Sequence, residues 1–199
     1  MNSKQYKEII RPFLSDKRFR HSVYVAEECI ALASRYGVDE KKAETVGILH
    51  DIMKELPKEE QLKMMEDSGI ILTDEERDVP KLWHAKCGYL YMKQVLHIED
   101  EEMLNAVLYH TTARAHMTQL DKVLFVADFI SMDRDYEGVE KLRDLARESL
   151  DKAVLEGLIF SIQDLTSAHK TVHPDSCLLY TSLKHTAVRT QEHLKVQFV

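Results

Sequence analysis

KRFRHSVYVAEECIALASRY, residues 17–36, is the stretch that decides the fold class. Val23, Ala26, Ile30 and Ala33 recur at three- and four-residue intervals, the repeat of one helix face, and Gly37 follows as a stop. Outward from there the same period persists. Asp39 is placed to cap a helix carrying Ala43, Val46, Gly47 and His50. Pro57 falls where a first helical turn tolerates it, ahead of KEEQLKMMEDSG, which closes at Gly69. Thr73 with Glu76 reads as a capping box for a short helix that ends before Pro80. The pattern predicts further helices over 81–96, 100–110, 119–130, 139–149 and 150–169. The one β-branched cluster, GIILT at 69–73, is too short to build a sheet. The expected architecture is therefore an all-α helical bundle in a single domain. It spans 1–177, followed over 178–199 by a C-terminal helix and a tail ending in the β-prone VQFV.

Composition narrows the function classes. The chain has 199 residues, long enough for one sizeable core and short for two domains. Against 27 Lys and Arg stand 34 Asp and Glu, a formal charge of -7. A net negative field argues against nucleic acid or an anionic membrane as partner, yet leaves room for a phosphorylated small molecule in a local basic pocket. No apolar run approaches the roughly 20 residues of a membrane span, and MNSKQYKEIIRPF lacks the apolar core of a signal peptide. Cys29, Cys87 and Cys177 are odd in number and far apart, so neither a disulfide framework nor a thiolate zinc site is expected. All three are expected to be buried core thiols in a cytoplasmic protein. Phosphate-loop, dinucleotide-fold and serine-elbow motifs are absent.

What stands out is histidine, 10 in all, several of them, like Asp51 and Asp128, set in otherwise apolar helical strings. His21 follows RFR, His50-Asp51 closes GIL, His84 follows LW, His110 precedes TT, and Asp128 lies in VAD. One histidine on an apolar helix face is more often a satisfied core residue than a ligand. Five such positions are harder to explain that way, because a charged or half-charged buried group is costly unless paired or metal-bound. Neutral imidazoles with carboxylates suit divalent first-row metals, although no spacing among these residues is diagnostic. His50 and Asp51 point about 100° apart on a regular helix, so they converge only if the helix ends or distorts there. A carboxylate such as Asp51 could bridge two metals, one oxygen to each.

The order His21, His50-Asp51, Asp128 resembles the H…HD…D signature of HD-domain metal-dependent phosphohydrolases. Arg18-x-x-His21-Ser22, His50-Asp51-Ile52-x-Lys54, Trp83-His84, His110-Thr111-Thr112-Ala113, Val126-Ala127-Asp128-Phe129-Ile130 and Arg134-Asp135 narrow the resemblance to the bacterial YqeK-type family. It runs from about Lys4 to Asp175. That family hydrolyses diadenosine tetraphosphate symmetrically, into two ADP. The resemblance implies two divalent metal ions, usually iron, with manganese, zinc or cobalt as alternatives. His21, His50, Asp51 and Asp128 would hold the first, and Asp51, His84 and His110 the second. It implies catalytic roles for Asp51 and Lys54, and substrate contacts from Arg18, Lys54, Thr111, Thr112, Arg114 and Arg134. A dinucleoside polyphosphate or a nucleoside diphosphate is the expected ligand. The apolar 150–169 stretch is consistent with a homodimer. Two alternatives use the same ligands: a phosphatase of nucleoside mono- or diphosphates, and a non-catalytic nucleotide-binding sensor. The chain departs from the family at Ser131-Met132-Asp133, where a Glu-Pro is usual, and in the tail beyond Asp175. Neither departure is expected to touch a proposed ligand.

Overall fold

A computed structural model describes residues 1–184, and its described part is helical throughout, without a strand. The expected tail beyond 184 lies outside the described residues; helical turns run over 174–184. α1 (Ser3–Ile10) is a helix that periodicity did not announce. Its start is a capping box between Asn2 and Gln5, and it buries only Tyr6 and Ile10. α2 (Asp16–Tyr36) and α3 (Glu40–Leu49) form a tight antiparallel pair joined through Gly37, whose φ of 69° supplies the left-handed stop. The pair closes at Gly47, where a Cβ would lie 2.6 Å from the Ala26 Cα.

α4 (Lys58–Asp67) begins directly after Pro57, which stands at the cap position with ψ 143°, just outside the helix rather than inside its first turn. α5 (Asp74–Asp78) carries the expected Thr73–Glu76 box. The stretch expected as one helix over 81–96 is three pieces: a 3-10 turn (Pro80–Leu82), α6 (Trp83–Leu90) and a π-helical turn (Tyr91–Val95). α7 (Glu101–Leu108), capped by Asp100, precedes α8 (Gln119–Ile130), which lies against α2, α3, α7 and α10. α8 is the central element, with Leu120, Val123, Leu124, Phe125, Val126, Ala127 and Ile130 all buried. α9 (Val139–Glu148) and α10 (Leu150–Ser167) flank it.

Of the apolar residues in 150–169 that prompt the dimer expectation, Leu150, Ala153, Val154 and Leu158 are buried within the chain itself, Leu155, Ile159, Ile162 and Leu165 are half-buried, and Phe160 is exposed. Cys29 and Cys87 are core thiols as expected, and Cys177 is not: it is exposed on the 174–184 turns. Leu179 takes the inward face of these turns, and Cys177, two residues earlier and about 200° round the helix, is turned outward. Among the described residues, no helix is long and apolar enough to cross a membrane.

Candidate functional site

His21 sits in the second turn of α2, whose Ser15 cap is tied to the turn after Asp51: the Ser15 amide and hydroxyl donate to Glu55 at 2.6 and 2.9 Å. His50 is the C-terminal cap of α3. Beyond it the chain tightens into three-residue turns, with the Ile52 amide bonded to the Leu49 carbonyl (3.1 Å) and Lys54 to Asp51 (2.9 Å). Buried Gln61 supports this stretch by donating to the carbonyls of Met53 and Leu56. The helix thus ends where His50 and Asp51 need it to, and both turn into one centre. His84 lies one residue into α6, and His110 two residues past the end of α7.

Three of the four rings share one device. Nδ1 of His50, His84 and His110 faces the carbonyl three residues earlier (Gly47, Lys81, Val107) at 2.8, 2.7 and 2.7 Å. A carbonyl can only accept, so each Nδ1 carries a proton, and in the neutral ring the lone pair is then on Nε2. Those lone pairs converge. His84 Nε2 lies 3.2 Å from His110 Nε2 and 3.1 Å from Asp51 Oδ1, and His110 Nε2 lies 3.5 Å from the same oxygen. His50 Nε2 is 3.6 Å from Asp51 Oδ2, and His21 Nε2 is 3.0 Å from Asp128 Oδ1.

Two groups able to hold a metal ion result, His21–His50–Asp51 and Asp51–His84–His110, and they share Asp51. All five residues are buried, and His50 Nε2 and Asp51 Oδ1 have no hydrogen-bond partner. Acceptors facing acceptors in a dry site are unfavourable until a cation lies among them, so the donor set fits divalent metal.

The protonation states agree with that fit. Burial pushes the His50 imidazole down to about 4, against the pull of Asp51 and Asp128. Burial does the same to His84, also to about 4, against Asp51 and with Lys54 and His110 adding to it. Both rings are neutral near pH 7. Burial would raise the Asp51 carboxyl, but the surrounding imidazoles and Lys54 outweigh it and hold it well below the usual range. Burial works on Asp128 likewise and is outweighed by His21, His50 and Arg134.

Three cations rim the centre. Arg18 Nη1 is 2.9 Å from Asp51 Oδ2, Lys54 Nζ is 3.0 Å from His84 Nε2, and Arg134 Nη2 is 2.5 Å from Asp128 Oδ1. Their side chains are 32%, 31% and 35% exposed, enough to meet an incoming anion. Arg114 is placed differently: its Nε and Nη2 bind Asp121 at 2.9 and 2.8 Å and its guanidinium covers the Tyr109 ring. Thr111 and Thr112, next to His110, line a cavity of about 240 Å³ with Leu82, Phe160, Leu165 and Val172.

The departure at Ser131-Met132-Asp133 does reach a candidate ligand, contrary to expectation. Asp133 Oδ2 lies 2.9 Å from His21 Nδ1, because α8 stops at Ile130 and the chain folds back over α2. Arg143, also unforeseen, holds that loop by donating to the carbonyls of Ile130, Ser131 and Arg134 at 3.0, 2.9 and 3.0 Å. The sequence signal for Asp133 was an aspartate just past a helix end; for Arg143 there was none.

A helical bundle with this histidine–aspartate centre has known counterparts. A sequence model of the HD domain matches residues 18–133, and the chain belongs to the HD-domain family. Within it, the chain is similar to proteins named as symmetrical bis(5'-nucleosyl)-tetraphosphatases. The Halalkalibacterium halodurans protein is 34% identical, over 92% of this chain and 97% of its own. The Bacillus subtilis protein is 36% identical, over 92% and 98%. A crystal structure from Clostridium acetobutylicum, described as an HD superfamily hydrolase involved in NAD metabolism, superimposes with a TM-score of 0.90 at 31% identity. That likeness covers 94% of this chain and 98% of the other.

Proposed function

We propose that this chain is a metal-dependent hydrolase that cleaves diadenosine tetraphosphate symmetrically into two ADP. The observation that carries the proposal is the pair of ligand groups sharing one buried carboxylate, Asp51. His21, His50, Asp51 and Asp128 would hold one divalent ion, and Asp51, His84 and His110 a second, iron being the expected metal. Bound there, such ions acidify a water toward neutrality and offset charge on phosphoryl oxygens. The chain's own residues supply the rest. Arg18, Lys54 and Arg134 would bind and orient the phosphate chain, exchanging carboxylate or imidazole partners for phosphoryl oxygens. The cavity lined by Thr111 and Thr112, the residues that follow His110, is where one nucleoside half would lie. With one ADP-like half gripped, water adds at its terminal phosphorus, the bridging P–O bond breaks, and the other half leaves as ADP.

The test is product analysis on anaerobically purified, iron-supplied protein with diadenosine tetraphosphate. ADP as sole product is expected. ATP with AMP would overturn the symmetric reading, and no turnover with metal confirmed would shift the assignment to smaller nucleotides or to a sensor. Lys54→Ala is expected to lower kcat/KM about 100-fold, the scale of losing one charge-stabilising donor, with metal content retained. Loss of metal in that variant would place Lys54 in metal retention instead.

A further inference from the structure

The fourth histidine is held differently from the other three. Its Nδ1 faces a carboxylate, Asp133, at 2.9 Å, where His50, His84 and His110 each lean on a neutral backbone carbonyl. Asp133 is itself fixed. The Ser131 hydroxyl donates to its Oδ1 at 2.8 Å, and Arg143 binds backbone carbonyls on both sides of it. A carboxylate behind a ligating imidazole orients the ring and raises its basicity more than a neutral acceptor does.

The opposite half of the centre has the reverse arrangement. Lys54 Nζ lies 3.0 Å from His84 Nε2, on the lone pair a metal would take. Among the described residues, Asp51 is the one carboxylate paired with His84 or His110, whereas His21 also has Asp128 at 3.0 Å. Arg134 and Arg18 face the His21 half too, but each contacts a carboxylate oxygen rather than an imidazole lone pair.

We propose that Asp133 is a positioning residue for His21 that makes the His21 half of the centre the tighter metal-binding half, leaving the His84–His110 half exchangeable. The inference rests on the two-metal reading above. Its test is a titration of metal-free protein with Mn2+, free ion being read by electron paramagnetic resonance. The intact chain is expected to bind two ions with affinities at least ~10-fold apart, and His84→Ala to lose the weaker alone. Asp133→Asn keeps an acceptor for Nδ1–H and removes the charge. It should weaken the tight site by about 10–100-fold and spare the other. Ser131→Ala, which loosens Asp133 without touching His21, should shift the same site in the same direction, and Lys54→Ala should tighten the weak one. These last two keep the test open if Asp133→Asn fails to fold. Two sites of equal affinity in the intact chain, or a tight site lost in His84→Ala and unchanged by Asp133→Asn and Ser131→Ala, overturn the inference and leave the two-metal reading standing. One Mn2+ per chain in every variant overturns the two-metal reading, and the inference with it.

Discussion

Asp51→Ala is expected to abolish hydrolysis, lowering turnover by at least ~10³-fold, beyond what removal of a single charge-stabilising donor costs. Both groups able to hold metal contain this carboxylate. Its Oδ1 faces His84 and His110 at 3.1 and 3.5 Å, while its Oδ2 faces His50 at 3.6 Å and Arg18 at 2.9 Å. Removing it takes one ligand from each half at once and leaves Asp128 as the one carboxylate of the proposed ligand set, too little negative charge to hold two dications. Asp51→Asn separates shape from charge, since it keeps the volume and one acceptor oxygen. Both variants should lose metal and activity together, with far-UV circular dichroism unchanged because the helices are set by packing elsewhere. Substantial turnover by Asp51→Ala with both metals retained would remove Asp51 from the role assigned to it.

The second large effect is on stability. Gly47→Ala should destabilise the fold by about 3 kcal/mol, although alanine is the better helix former by roughly 1 kcal/mol. A Cβ at Gly47 would meet the Ala26 Cα at 2.6 Å and the Ala26 backbone nitrogen at 3.0 Å. Those are backbone atoms in the middle of a 21-residue helix, so no rotamer change relieves the contact and α2 and α3 must separate. For a chain of this length the expected fall in Tm is about 6–12 °C. His21 and His50 ride on these two helices, so metal affinity should fall as well. Gly157→Ala is the comparison, because its Cβ would meet side-chain rings alone, the nearest being the Phe125 edge at 3.1 Å, which can tilt. A Tm for Gly47→Ala within a degree or two of the unaltered protein would show that the helices part at little cost.

The helices of this chain lay open to inspection wherever their determinants are local. The apolar faces of 17–36 and 119–130, the Thr73–Glu76 box and the Asp39 cap are interactions within one or two turns, so adjacent letters record them. α1 escaped because eight residues with two buried side chains carry little periodicity, and its capping box is its main signal. The π-helical turn at Tyr91–Val95 escaped because it shares the residue types of an α-helix. The candidate ligands were legible as residue types out of place, histidines and aspartates in apolar strings, and the resemblance arranged them in order.

Their partnerships were not legible. His21 meets Asp133 across 112 positions, Ser15 meets Glu55 across 40, and the two oxygens of Asp51 are divided, Oδ1 toward His84 and His110 and Oδ2 toward His50. Arg114, expected at the substrate, is paired with Asp121, a partnership set by the loop after His110 folding back on the start of α8. By itself, then, the sequence determined that this is a helical bundle with an unusual supply of imidazole and carboxylate. Which nitrogen carries each proton, which oxygen meets which ring, and which cation stands at which half were decided by tertiary packing. Those contacts depend on how helices far apart in the chain approach one another, and spacing along a single strand of letters holds no record of that approach.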